Sequence, residues 1–220
     1  MGLLGVIETV ALQAGPLVMA IVLHELAHGW VARALGDDTA ARAGRLSLNP
    51  IRHLDPVGSF LVPGLLAAGA YATGTRPVLF GWARPVPIDG SRLRHPRRDM
   101  VLVALAGPLT NLLLAFAASA ALATLARATA PGAGGALGLA AELLVVTVVV
   151  NCVLGVFNLL PVPPLDGGRV LVAALPRPIA RRFRILDGVG MAVVVLLVMQ
   201  TNVVSALARP VVEWLLSWAG

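Results

Sequence analysis

The stretch "IVLHELAHGWVA" (21–32) sets His24, Glu25 and His28 within five residues of one apolar run. Spaced four apart on a helix, the two imidazoles share one face about one turn apart, and their ring nitrogens can converge on a single ion. Glu25 lies beside the first imidazole, within reach of a water held by that ion rather than of the ion itself. Two histidines and a glutamate in an H-E-x-x-H pattern are a zinc-ligand pair and a general base. The competing reading is a buried cluster of mutually hydrogen-bonded side chains. An ionisable group at the centre of a bilayer costs about 2.5–3.5 kcal/mol on insertion scales, so three in five residues need compensation, and a metal supplies it.

A catalytic zinc site takes three protein ligands and keeps one position open. His53, His95, Asp55, Asp89 and Asp99 lie in polar connections. Asp166 lies in "NLLPVPPLDGGRV" (158–170), directly after an apolar run. Pro161, Pro163 and Pro164 end that helix and stiffen the turn, while Gly167 and Gly168 allow unusual backbone angles and close approach. Asp166 can alternatively cap the helix that begins at "GGRVLVAAL". With two histidines in want of a partner, the ligand role is the stronger expectation, giving one Zn2+ held by His24, His28 and Asp166.

The elements that must carry these residues are membrane helices. Hydrophobic residues make up 58% of the chain, charged residues 13%, and mean hydropathy is +0.86. Soluble domains run at about 45–50% and about 25%. A span needs roughly 20 mostly apolar residues, and residues 10–32, 100–126, 139–160 and 188–208 qualify. Residues 57–72 are short and contain Gly58, Pro63, Gly64 and Gly69, which predicts a re-entrant segment or two broken half-helices. Residues 41–50 and 83–89 are candidate short cytoplasmic-side strands, with Pro85 and Pro87 favouring an edge. The expected architecture is an all-α polytopic membrane protein of about four to six transmembrane helices, a re-entrant segment and short β-strands. The longest connection, 73–99, is too small to fold alone, so 1–220 reads as one integral-membrane domain.

All 17 basic residues are arginine, and fifteen of them fall within 33–98 and 169–184. Positive charge stays cytoplasmic, which orients the ends of the 10–32 and 139–160 helices, and hence both motifs, toward the cytoplasm. The net charge of +6 is accounted for by topology and anionic headgroups rather than nucleic acid. The single cysteine, Cys152, excludes a disulfide within the chain. The amino-terminal stretch "MGLLGVIETV" lacks a basic n-region and a cleavage site and reads as retained. Trp214 and Trp218 suit an interfacial belt.

Taken together, "HELAH" and "NLLPVPPLDGG" resemble the two metal motifs of the site-2 protease (M50) family of intramembrane zinc metalloproteases. "RLSLNPIRHLDPVGS" (45–59), "GWARPVPID" (81–89) and "AGPLTN" (106–111) look like its small bacterial branch, a compact form without PDZ or CBS modules. The resemblance implies that His24, His28 and Asp166 are zinc ligands, Glu25 the catalytic glutamate and Asn158 an active-site asparagine. It gives Asn111 a polar position whose role reads mostly as packing, and Asn151 reads as an interhelical hydrogen-bonder. It further implies a transmembrane protein substrate, a lipid bilayer as partner, and residence in the cell (inner or plasma) membrane. A membrane zinc carrier or sensor would need the same ligands but not Glu25. An inactive protease-like scaffold would bind substrate without cleaving it. An extended substrate segment could be held by strand addition to 44–49 or 84–89.

Overall fold

Lipid offers no partner to a backbone N–H or C=O, so an apolar chain closes its own hydrogen bonds as helix. The computed structural model describes residues 3–74, 83–129, 134–183, 190 and 203–219. The order is α1 (Leu3–Ala34), α2 (Thr39–Arg42), a 3₁₀ turn (Pro50–His53), a π-helical turn (Pro56–Leu61) running into α3 (Val62–Thr73), α4 (Pro96–Ala128), α5 (Ala136–Asn158), α6 (Asp166–Ala174), α7 (Arg177–Phe183), α8 (Val203–Leu216) and a 3₁₀ turn (Ser217–Ala219). Among the described residues four helices are long and apolar enough to cross a membrane: Ile7–Ala34, Pro56–Thr73, Pro96–Ala128 and Ala136–Asn158. The span expected at 188–208 falls mostly outside the described residues.

The centre of the structure is α4, which touches α1, α5, α6 and α8. It starts cleanly. Pro96 occupies the first turn, where a missing N–H costs nothing, and Asp99 accepts the His95 N–H at 2.7 Å, a negative charge at the positive end of the helix. Its buried residues recur every three or four positions: Ala104, Gly107, Asn111, Ala115, Ala118 and Leu122. Lipid removes the hydrophobic drive between helices, so contact depends on small residues that let backbones approach. Gly155 of α5 answers this stripe, since a side chain there would stand 3.2 Å from the Pro108 carbonyl. Farther along, Ala115, Ala118, Val148, Cys152 and Leu215 form one cluster, and the Ser119 hydroxyl donates to the Leu215 carbonyl at 2.6 Å. Trp218 packs edge-on to Phe116 with centroids 5.2 Å apart.

Two expectations fail. No β-strand forms among the described residues, and 45–47 and 83–89 carry no regular secondary structure. The second segment has nothing to pair with: Pro85 and Pro87 lack N–H groups, and the Arg84, Val86 and Asp89 N–H groups donate to His53 O (2.9 Å), Glu25 Oε2 (2.7 Å) and Asp37 Oδ2 (2.7 Å). Nor does 57–72 break into a re-entrant pair of half-helices, because Pro56–Thr73 is one continuous helical stretch. Pro63 sits where the π-helical turn passes into α3, so the one bond its missing N–H forgoes does not stop the helix, and Asp55 caps the start by accepting the Val57 and Gly58 N–H groups. The flanks of this stretch meet at the 2.9 Å bond from Arg84 N–H to His53 O.

Candidate metal centre

Helical periodicity does the first part of the construction. One turn separates His24 from His28 near the carboxyl end of α1, and both rings turn inward with 6% and 3% exposure. They meet edge to face, 84° apart. Room for them comes from α4, where Gly107 lies directly against the pair. A Cβ there would stand 2.6 Å from His24 Nε2 and closer still to His28 Nε2.

Asp166 comes from the other side. The proline turn ends α5 and delivers Asp166 as the first residue of α6, with Leu165 at the cap position. Its carboxylate therefore caps nothing and points to the histidines. The glycines after it serve close approach rather than unusual angles: neither has positive φ, and a Cβ on Gly167 would strike the Leu159 and Leu160 carbonyls, as one on Gly168 would strike Pro163. Only a bare backbone lets α6 begin this near the turn.

Three ligand atoms converge: His24 Nε2 and His28 Nε2 are 3.0 Å apart, and they lie 3.1 and 3.2 Å from Asp166 Oδ2. Arg169 Nη1 adds a contact to Asp166 Oδ1 at 3.5 Å.

The outward ring nitrogens fix the tautomers. His28 Nδ1 lies 2.6 Å from the Val103 carbonyl, which can only accept, so this nitrogen carries the proton. His24 Nδ1 lies 2.6 Å from Asn111 Oδ1. The Asn111 amide cannot be reversed, because its Nδ2 donates to the Ala20 carbonyl at 3.2 Å and to Asn151 Oδ1 at 2.9 Å. Asn151 is fixed in turn by donating to the Thr147 carbonyl at 2.9 Å. With protons held at both Nδ1 atoms, the neutral rings turn bare Nε2 lone pairs toward each other and toward a carboxylate. Three acceptors at this distance repel unless a cation lies between them, and a tetrahedral zinc with ligand bonds of about 2.0–2.2 Å would separate its ligand atoms by about 3.3 Å. The donor set and its spacing fit one Zn2+ ion.

Glu25, on the turn that carries His24, reaches sideways: its Oε2 accepts the Val86 N–H at 2.7 Å. The remaining candidates lie elsewhere. Asp55 and Asp99 cap helices, Asp89 accepts from Ser91, His53 Nε2 donates to the Ser47 carbonyl at 2.7 Å, and His95 precedes α4. Asn158, the last residue of α5, donates Nδ2 to the Leu154 carbonyl of its own helix at 2.9 Å and does not join the three ligand atoms here. Asn151 forms the interhelical hydrogen bond expected of it, whereas the contacts of Asn111 and Gly107 with the histidines are not foreseen from the sequence. The signal available was "AGPLTN" itself, a glycine and an asparagine four apart on one face of an apolar helix.

A cavity of about 940 Å³ opens between 85–91 and the start of α6, lined in part by Pro85, Pro87, Arg97, Pro163, Gly168 and Arg169; neither the three ligand residues nor Glu25 lines it.

Residues 128–199 match the family model for peptidase family M50. The chain is also 40% identical over 182 residues to the Bacillus subtilis (strain 168) protein named "Putative zinc metalloprotease YwhC", an alignment covering 82% of this chain and 77% of that protein. No solved structure matches.

Proposed function

The chain belongs to peptidase family M50 and is a metalloendopeptidase with several helices able to span a membrane; from that premise we propose that it cuts peptide bonds within or next to the membrane-spanning segments of other membrane proteins, using one Zn2+ ion. The observation that carries this reading is the meeting of His24, His28 and Asp166 at 3.0–3.2 Å beside Glu25. These three residues would hold the ion, which when bound lowers the pKa of water toward about 7 and polarises a carbonyl.

The chain's own groups do the rest. Glu25 takes a proton from the attacking water and returns it to the leaving nitrogen, work worth typically 10²–10⁴-fold. Asn111 and the Val103 carbonyl keep both imidazoles in the ligating tautomer. Asn158 turns from its own helix to the scissile carbonyl or the substrate backbone. Asn158→Ala then lowers kcat by about 10²–10³-fold, as loss of an oxyanion donor does, and leaves zinc content unchanged.

A transmembrane helix hides its peptide bonds in internal hydrogen bonds, so a substrate must unwind locally before it is cut. The cavity between 85–91 and α6, whose lining includes the Val86 that meets Glu25, supports room for water and an extended segment near the site. The arginine bias supports a cell-membrane protein whose site opens toward the cytoplasm, and the continuity of the helix packing supports one domain over 1–220.

The test is purified protein in lipid vesicles with a single-span reporter. Chelation abolishes cleavage, stoichiometric zinc restores it, and the cut falls in or beside the reporter's span. Cleavage that survives complete metal removal, or that occurs only in soluble peptides, overturns the proposal.

A further inference from the structure

The metal ligands are oriented by helices, whereas Glu25 is held by a strap of extended chain, 84–89. This strap is built to offer one donor. Pro85 and Pro87 have no N–H, so Val86 supplies the only backbone donor in "PVP", and that donor goes to Glu25 Oε2 at 2.7 Å. The donor is stiffly presented. Proline fixes its own φ and confines the residue before it to extended backbone, which restrains 84 through 87 in sequence. Both ends are anchored: Arg84 N–H to the His53 carbonyl at 2.9 Å, and Asp89 N–H to Asp37 Oδ2 at 2.7 Å. Arg45 adds a guanidinium bond to the Pro85 carbonyl at 3.3 Å. The surface beneath is shaped to receive it, since Gly29, one turn past Glu25, leaves space that a Cβ would share with Val86 Cγ1 at 3.1 Å.

We propose that the Val86 amide is a positioning group for catalysis: it fixes one oxygen of Glu25 so that the other is aimed at the reacting water. A carboxylate on a flexible stem samples many orientations, and proton transfer requires one of them. A single N–H on a stiff, doubly anchored segment removes that freedom. The Val86 donor is thereby used up and Pro85 and Pro87 offer none, so 84–89 is poor in donors for strand addition. The inference rests on the proteolytic reading for its kinetic consequence but not for the contact itself.

The two prolines make the contact measurable in isolation. A peptide spanning 85–87 contains one exchangeable backbone amide, that of Val86, so hydrogen exchange read by mass spectrometry reports this bond alone. In the full-length protein in lipid, Val86 exchanges about tenfold faster in Glu25→Ala than in wild type, as expected for one lost charge-assisted bond. Equal exchange rates overturn the proposal whether or not any substrate is cleaved. In reporter cleavage, Val86→Pro removes the donor and lowers kcat by about 10²-fold, with KM and zinc content held. Val86→Ala keeps the N–H and loses far less kcat than Val86→Pro. If Val86→Pro fails to fold, Asp37→Ala, which frees the Asp89 end of the strap, lowers kcat in the same way. A kcat that is unchanged or raised in the variant that folds, or an equal loss in Val86→Ala, overturns the positioning role. Absence of cleavage in wild type, with the exchange difference intact, tells against the protease reading and leaves the contact standing.

Discussion

The two halves of the proposed catalytic apparatus are held in different ways. On the metal side every support is helical: His24 and His28 on α1, Asn111, Gly107 and the Val103 carbonyl on α4, Asn151 on α5 and Asp166 at the start of α6. On the base side Glu25 leans on one amide of an irregular strap. The helical half is buried and its amide orientations are locked in series to backbone carbonyls. The strap half borders an open cavity and depends on two prolines and two end contacts. Ligand geometry is thereby separated from base geometry, so the two can be broken independently.

The largest break is at the metal side. Asp166→Ala leaves two lone pairs facing each other and loses zinc and cleavage together, beyond the 10–100-fold affinity losses typical of outer partners. Gly107→Ala does nearly as much without replacing a ligand, by displacing both rings; metal analysis beside a fold check by circular dichroism measures it. Asn111→Leu frees the His24 tautomer and lowers zinc affinity by about 10–100-fold, while Asn151→Leu, one bond farther out, costs less than Asn111→Leu in the same titration. An Asn151→Leu that matches or exceeds the effect of Asn111→Leu would contradict the serial arrangement.

The smallest effect is on the strap and depends on pH. Burial alone would raise the Asp37 carboxyl, but the Thr39 hydroxyl and N–H and the Asp89 N–H outweigh it and hold the group below its ordinary 3.8. A depressed carboxylate contributes stability above its unfolded pKa and loses it as pH falls through the lower folded value. The strap is thus expected to stay closed through neutral and mildly acidic pH and to loosen only below about 3.8, seen as faster Val86 exchange there. Asp37→Asn flattens that dependence.

The same contrast explains what was legible in the sequence. That His24 and His28 share one helix face is readable because helical spacing is local, and that Asp166 meets them is readable because a turn of prolines and glycines follows an apolar span. Asn111 was mis-weighted because its partner lies 87 residues away and a lone asparagine in an apolar helix carries no period. At 57–72, Pro63 and the glycines suggest breaks, yet the single N–H that Pro63 lacks falls at the π-to-α junction and α3 runs on through Gly64 and Gly69. At 83–89 the alternation of proline was read as an edge strand. The same prolines leave so few donors that the segment becomes a strap, with its free amides turned inward to His53, Glu25 and Asp37.

The most direct test of the central claim compares wild type with Glu25→Gln in lipid vesicles, measuring bound zinc and reporter cleavage on the same samples. The account predicts one zinc per chain in both proteins and a loss of cleavage of about 10²–10⁴-fold in the variant. Undiminished cleavage in Glu25→Gln, or loss of zinc together with activity, would contradict the assignment of metal binding to His24, His28 and Asp166 and of proton transfer to Glu25.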